Sequence, residues 1–126
     1  MTLAQIHVGL SRASVLFSLI FGLYGLWRFM RKEGVGGNLW SMLAAGELLY
    51  LVQGFVGAAL YALGARPARA WVHILYGVLL VITVPGAFAY MRGRDSRREA
   101  LIYGLIGLFL AGVSLRAIYT ATVAVP

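Results

Sequence analysis

Residues 71–91 read WVHILYGVLLVITVPGAFAYM. The stretch contains no Asp, Glu, Lys or Arg. As a helix it is long enough to cross the roughly 30 Å of hydrocarbon in a bilayer. It is too long for a membrane β-strand and lacks the alternation such a strand needs. Three more runs of the same kind lie outward from it, at about residues 8–29, 39–63 and 100–122. The connections between runs, residues 32–38, 64–70 and 92–99, are short and hold Gly, Pro and charge. Short connections make sequential helices antiparallel, so the expected fold is an all-α, integral membrane four-helix up-down bundle.

Composition agrees. Residues of the AVILMFWYC set make up 61% of the 126-residue chain and charged residues 12%, against about a quarter in soluble domains. One domain, residues 1–126, accounts for the length. The net charge of +7 would suggest nucleic acid in a soluble protein. Here the charges fall in clusters between apolar runs, the pattern that orients a membrane protein, so no nucleic-acid partner is expected. There are no cysteines, which removes disulfides, thiolate metal sites, iron–sulfur clusters and covalent haem attachment. The first run lacks a cleavage pattern and is followed by Arg28, Arg31 and Lys32, so it is expected to be a retained helix.

Orientation follows from Lys and Arg. The first and third connections carry Arg28, Arg31, Lys32, Arg92, Arg94, Arg97 and Arg98. The opposite side has Arg66 and Arg69, with Arg12 and Arg116 just inside the spans. The first side is therefore expected to be cytoplasmic, with both termini outside the cell membrane. Trp71, Tyr61 and Tyr119 would form the outer aromatic belt, and Trp27 and Trp40 the inner one. Small residues line single faces: Gly46, Gly57 and Gly64 on the second helix, Gly104, Gly107 and Gly112 on the fourth. Such faces serve close helix approach, or leave room for a flat cofactor. Pro85 is expected to kink the third helix. The loop RGRDSRRE is read as a topology signal in contact with anionic lipid.

The chain has two histidines, His7 opening the first helix and His73 opening the third. In an up-down bundle those helices run the same way, so both imidazoles lie at one depth, where they could ligate a single haem iron from its two faces. His7, Ser11, Ser14 and Ser18 recur at helical spacing as an inward polar stripe. Gly77, one turn after His73, leaves space beside the imidazole. Arg12 and Arg116 would suit haem propionates, or snorkel to headgroups. Glu47 is the acid well inside a span. It is expected to be neutralised or paired with Arg28. Tyr50 and Gln53 share its face, where a quinone head would find hydrogen bonds.

The segment from Leu51 to Leu80, LVQGFVGAALYALGARPARAWVHILYGVLL, resembles part of a haem A synthase. In that family each half is a four-helix bundle in which histidines open two helices, and a helix between them carries Gln-x-x-x-Gly-Ala. Gln53, Gly57 and Ala58 match that pattern. His73 lies 20 positions after Gln53 and 66 after His7, spacings similar to the family's. The likeness covers residues 5–85 and implies a haem-binding bundle. The family's catalytic helix begins Glu-x-x-His, usually with Arg next. Here Ala4 and Val8 stand at those places, and the chain has half the family's length. The resemblance therefore implies haem binding without haem hydroxylation, and a homodimer would restore eight helices but not the acid.

The leading expectation is a b-type haem protein for electron transfer, or a haem-carrying subunit of a redox complex. A chlorophyll-type pigment would also accept a histidine. The alternatives are a structural subunit of a respiratory or photosynthetic complex without its own cofactor, and a small four-helix transporter. The transporter family pattern needs a Glu in the first helix, and this first helix has none. No hydrolytic triad, Walker loop or zinc spacing is present.

Overall fold

The computed structural model describes residues 1–122. The last four residues of the expected domain, and with them the C-terminus, lie outside the described residues. Four helices make up the described chain: α1 (Leu3–Met30), α2 (Gly36–Ala62), α3 (Ala70–Tyr90) and α4 (Arg97–Thr122). All four are long and apolar enough to cross a membrane.

Hydropathy placed the start of α1 five residues too late, because its first turn is polar. Thr2 caps it there: its hydroxyl accepts from Gln5 N at 3.1 Å and Gln5 Oε1 accepts from Thr2 N at 2.9 Å. This reciprocal cap satisfies two of the free N–H groups at a helix start. At α4 the same kind of signal moves the start back to Arg97. The Ser96 N–H and hydroxyl both donate to Glu99, which is buried and also lies 3.7 Å from Arg94 Nε. α3 runs on as helix through Pro85, and the Thr83 hydroxyl donates to the Leu79 carbonyl.

The helices form a ring in which each packs against its chain neighbours and α1 also packs against α4. α1 and α3 therefore face each other across the diagonal. The interior is mainly apolar but also holds small polar side chains: Ser14, Ser18, Ser114 and Thr120 are buried, beside Phe21, Leu39, Tyr50, Tyr103 and Leu110. Large apolar side chains such as Leu16, Phe55 and Ile82 are exposed. An apolar outer surface of this kind is what a hydrocarbon solvent accommodates.

The α1–α4 seam is the tightest. A Cβ on Gly107 would stand 2.5 Å from Gly22 Cα, and one on Gly104 2.7 Å from Leu26 N. Gly22 and Gly25 meet Gly104 and Gly107 backbone to backbone. Gly112 is not part of this seam and has nothing within 4 Å of its Cβ position. Trp71 and Trp27 are exposed as expected of belts, whereas Trp40 packs edge-on against Phe88 and Tyr103, at centroid distances of 5.7 and 5.5 Å.

Two ends follow from this topology. The basic end carries the α1–α2 and α3–α4 loops, tied together by Val35 N donating to Asp95 O at 2.9 Å. The histidine end carries the N-terminus, the α2–α3 loop and the last turn of α4.

Candidate cofactor site

His7 lies in the second turn of α1 and His73 in the first turn of α3. Because both helices run away from the same end, their imidazoles meet across the bundle diagonal. The ring centroids are 6.3 Å apart and the ring planes are inclined at 68°. Both side chains are half-buried.

Each histidine is braced by a different neighbour. His73 Nδ1 lies 2.7 Å from the Ala117 carbonyl on α4, and 3.4 Å from the buried Thr120 hydroxyl. A carbonyl can only accept, so His73 Nδ1 is the donor, and in the neutral ring Nε2 keeps the lone pair. This is the arrangement in which a ligating histidine is normally held. The backbone around His7 is held by Gln53 of α2. Its amide Nε2 donates to the His7 carbonyl at 3.2 Å and to the Ser11 hydroxyl, which in turn donates to the His7 carbonyl at 2.8 Å. His7 Nδ1 and Gln53 Oε1 are both buried without a hydrogen-bond partner among the described residues.

A cavity of about 630 Å³ opens beside the two rings, between α2 and α3. That is within the usual range of about 300–1,000 Å³ for small-molecule and cofactor sites. His7, His73, Gln53, Gly57 and Gly77 all line it, and Tyr50 does so at its deep end. From His73 to Ile82, both on the wall, α3 descends about 13 Å at 1.5 Å per residue. The wall is mostly apolar, and its small residues keep it open. At Gly57 a Cβ would come within 3.0 Å of His7 Cε1, so this glycine is what lets the ring stand where it does. At Gly77 a Cβ would meet nothing within 4 Å. Tyr50 hydrogen-bonds Ser18 through its hydroxyl.

The residues expected from the sequence divide into two groups. The structure brings together His7, His73, Ser11, Gln53, Gly57 and Gly77. Ser14 is buried in the bundle, with its hydroxyl donating to the Leu10 carbonyl at 2.9 Å, and does not line the cavity. Arg12 is exposed and away from the cavity. Arg116 is exposed too, with its guanidinium 4.9 Å from the Tyr119 ring centroid, beside a separate shallow depression on the α3–α4 side. Both arginines point outward around their helix axes. The cation at the cavity is Arg66, which the sequence had marked only as a loop charge.

Glu47 does not pair with Arg28. That guanidinium donates to the Gly34 carbonyl at 2.8 Å and lies 3.5 Å from Glu33. Glu47 Oε1 is buried with no partner among the described residues, and Glu47 does not line the cavity.

Among the described residues no cluster of three or more His, Cys, Asp or Glu side chains could hold a bare metal ion. Two imidazoles suffice where the ligand brings its own equatorial donors, as a porphyrin does. Comparison with protein-family models, with curated proteins and with solved structures found no match to this chain.

Proposed function

We propose that this bundle is a b-type haem protein in which His7 and His73 ligate one iron from opposite faces. The observation that carries the reading is the imidazole pair, 6.3 Å apart across the diagonal and opening onto a cavity of about 630 Å³. At that separation both imidazoles would be within reach of one metal ion held between them. The His73 tautomer set by Ala117 O and the glycine relief at Gly57 support the same reading. So does the resemblance to half of a haem A synthase.

Held by His7 and His73, a haem would supply one-electron transfer rather than oxygen chemistry. The chain's part is to hold the two imidazoles at one depth and keep the ring plane dry. Such a protein passes electrons to other subunits of a redox complex, or works as a homodimer. The excess of Lys and Arg at the basic end favours a cell membrane orientation with the histidine end outside.

The test is an absorption spectrum of the detergent-purified protein, oxidised and dithionite-reduced. A sharp reduced α-band is expected in the wild type and is lost in both His7→Ala and His73→Ala. A colourless protein after expression with ample haem overturns the reading and leaves a structural subunit in its place. Orientation is checked separately. The chain has no native cysteine, so Thr2→Cys should react with an impermeant thiol reagent on intact cells and Arg98→Cys only after permeabilisation.

A further inference from the structure

The acidic side chains avoid one end of this molecule. Glu33, Asp95 and Glu99 lie in or beside the basic-end loops, and Glu47 lies on the basic-end half of α2. The histidine end holds Arg12, Arg66, Arg69 and Arg116 and no carboxylate side chain at all. With four arginines and no carboxylate side chain, this end would favour an anionic ligand.

Arg66 is placed to receive one. Of the four it is the arginine that lines the cavity, together with its loop neighbours Ala65 and Pro67. Its guanidinium is stacked 3.8 Å from the ring centroid of Tyr61, another wall residue, and Nη1 donates to the Tyr61 carbonyl. Stacking fixes the plane of the guanidinium and leaves its other N–H groups free to donate. Three residues on, Arg69 has a buried Nη1 with no partner among the described residues. The loop that carries both is anchored to α4. Ala68 N donates to Ala121 O at 3.0 Å and Arg69 N to Thr120 O at 2.8 Å.

We infer that the α2–α3 loop is an anion clamp, and that the cavity's ligand is a metalloporphyrin dicarboxylate bound with its acid edge at Arg66, while Arg69, which does not itself line the cavity, adds positive charge behind it. The inference rests on the haem reading and narrows it. Below the histidines the polar wall residues are Gln53 and Tyr50, and both are engaged: the Gln53 amide donates to the His7 carbonyl and the Ser11 hydroxyl, and the Tyr50 hydroxyl is bonded to Ser18. A carboxylate edge turned that way would be desolvated without a donor, so the loop end is the one that accepts it. A tetrapyrrole whose acid groups are esterified, as in chlorophyll-type pigments, offers the clamp no anion.

The experiment is a titration of the detergent-solubilised apoprotein with ferric protoporphyrin IX and, in parallel, with its dimethyl ester. The wild type should bind the free acid roughly ten- to a hundredfold more tightly, the range a charge-assisted hydrogen bond gives. Arg66→Gln should lose most of that preference by weakening the free acid alone, and Arg66→Gln with Arg69→Gln should abolish it. Arg116→Gln should change neither ligand. Equal binding of acid and ester by the wild type, or a preference that survives in the double variant, overturns the clamp while the haem reading stands. Failure of the wild type to bind either porphyrin overturns both.

Discussion

Glycine is used in opposite ways on the two sides of this bundle. Along the α1–α4 seam, Gly22, Gly25, Gly104 and Gly107 bring backbones into contact, and any Cβ there would stand between 2.5 and 2.8 Å from backbone atoms of the facing helix. Between α2 and α3, Gly54 would place a Cβ no closer than 3.7 Å to Val81, and Gly77 nowhere near another atom. One set removes side chains so that two helices can touch. The other removes them so that two helices can stay apart around a space. A sequence that is merely rich in glycine does not distinguish these uses; the facing helix does.

The largest expected effect tests the closed side. Gly107→Ala forces a Cβ to 2.5 Å from Gly22 Cα, and neither backbone can yield without separating the helices. Overpacking of this kind costs about 1–3 kcal/mol, to be read by SDS or thermal unfolding of the purified protein. The open side should answer differently. Gly77→Ala should leave stability unchanged or raise it by up to about 1 kcal/mol, since alanine is the better helix former. Gly77→Leu, filling the cavity, should lower haem affinity at little cost in stability. Equal destabilisation by Gly107→Ala and Gly77→Ala would break the contrast.

Two smaller effects sharpen it. Gly57→Ala should displace the His7 ring, because the new methyl would lie 3.0 Å from Cε1. The expected sign is a shifted or broadened reduced α-band with the fold intact by circular dichroism. Tyr50→Phe removes the bond to Ser18 at the cavity floor. Interhelical hydrogen bonds inside membranes average about 0.6 kcal/mol, so a loss of that order in unfolding free energy is expected, with the haem spectrum unchanged.

Much of this was legible in the sequence. Hydropathy gave four spans, loop length gave their alternation, and the two together put His7 and His73 at one depth. The polar stripe from His7 to Ser18 also points inward as periodicity predicts. Direction around each helix axis was harder to read. Arg12 and Arg116 belong to the same half of the bundle as the histidines but face out, and a loop residue such as Arg66 has no helical phase from which to infer its aim. Gly104 and Gly107 read as a small face, but nothing in one helix says that Gly22 and Gly25 are what it meets. Gly112 was grouped with them although its Cβ position is open. Trp40 reads as a belt residue by position and is held inside by Phe88 and Tyr103, which come from two other helices.

The hold of α4 on His73 sets an order of assembly. Ala117 fixes the imidazole, Thr120 and Ala121 fasten the loop before it, and Ala117 and Ala121 also close one wall of the cavity. A nascent chain that has threaded only three helices into the bilayer already carries both histidines, yet His73 has no carbonyl to set its tautomer and the cavity lacks a side. A ligand site here would therefore be completed only once α4 is in place, so that loading would follow insertion of the fourth helix instead of accompanying the first three.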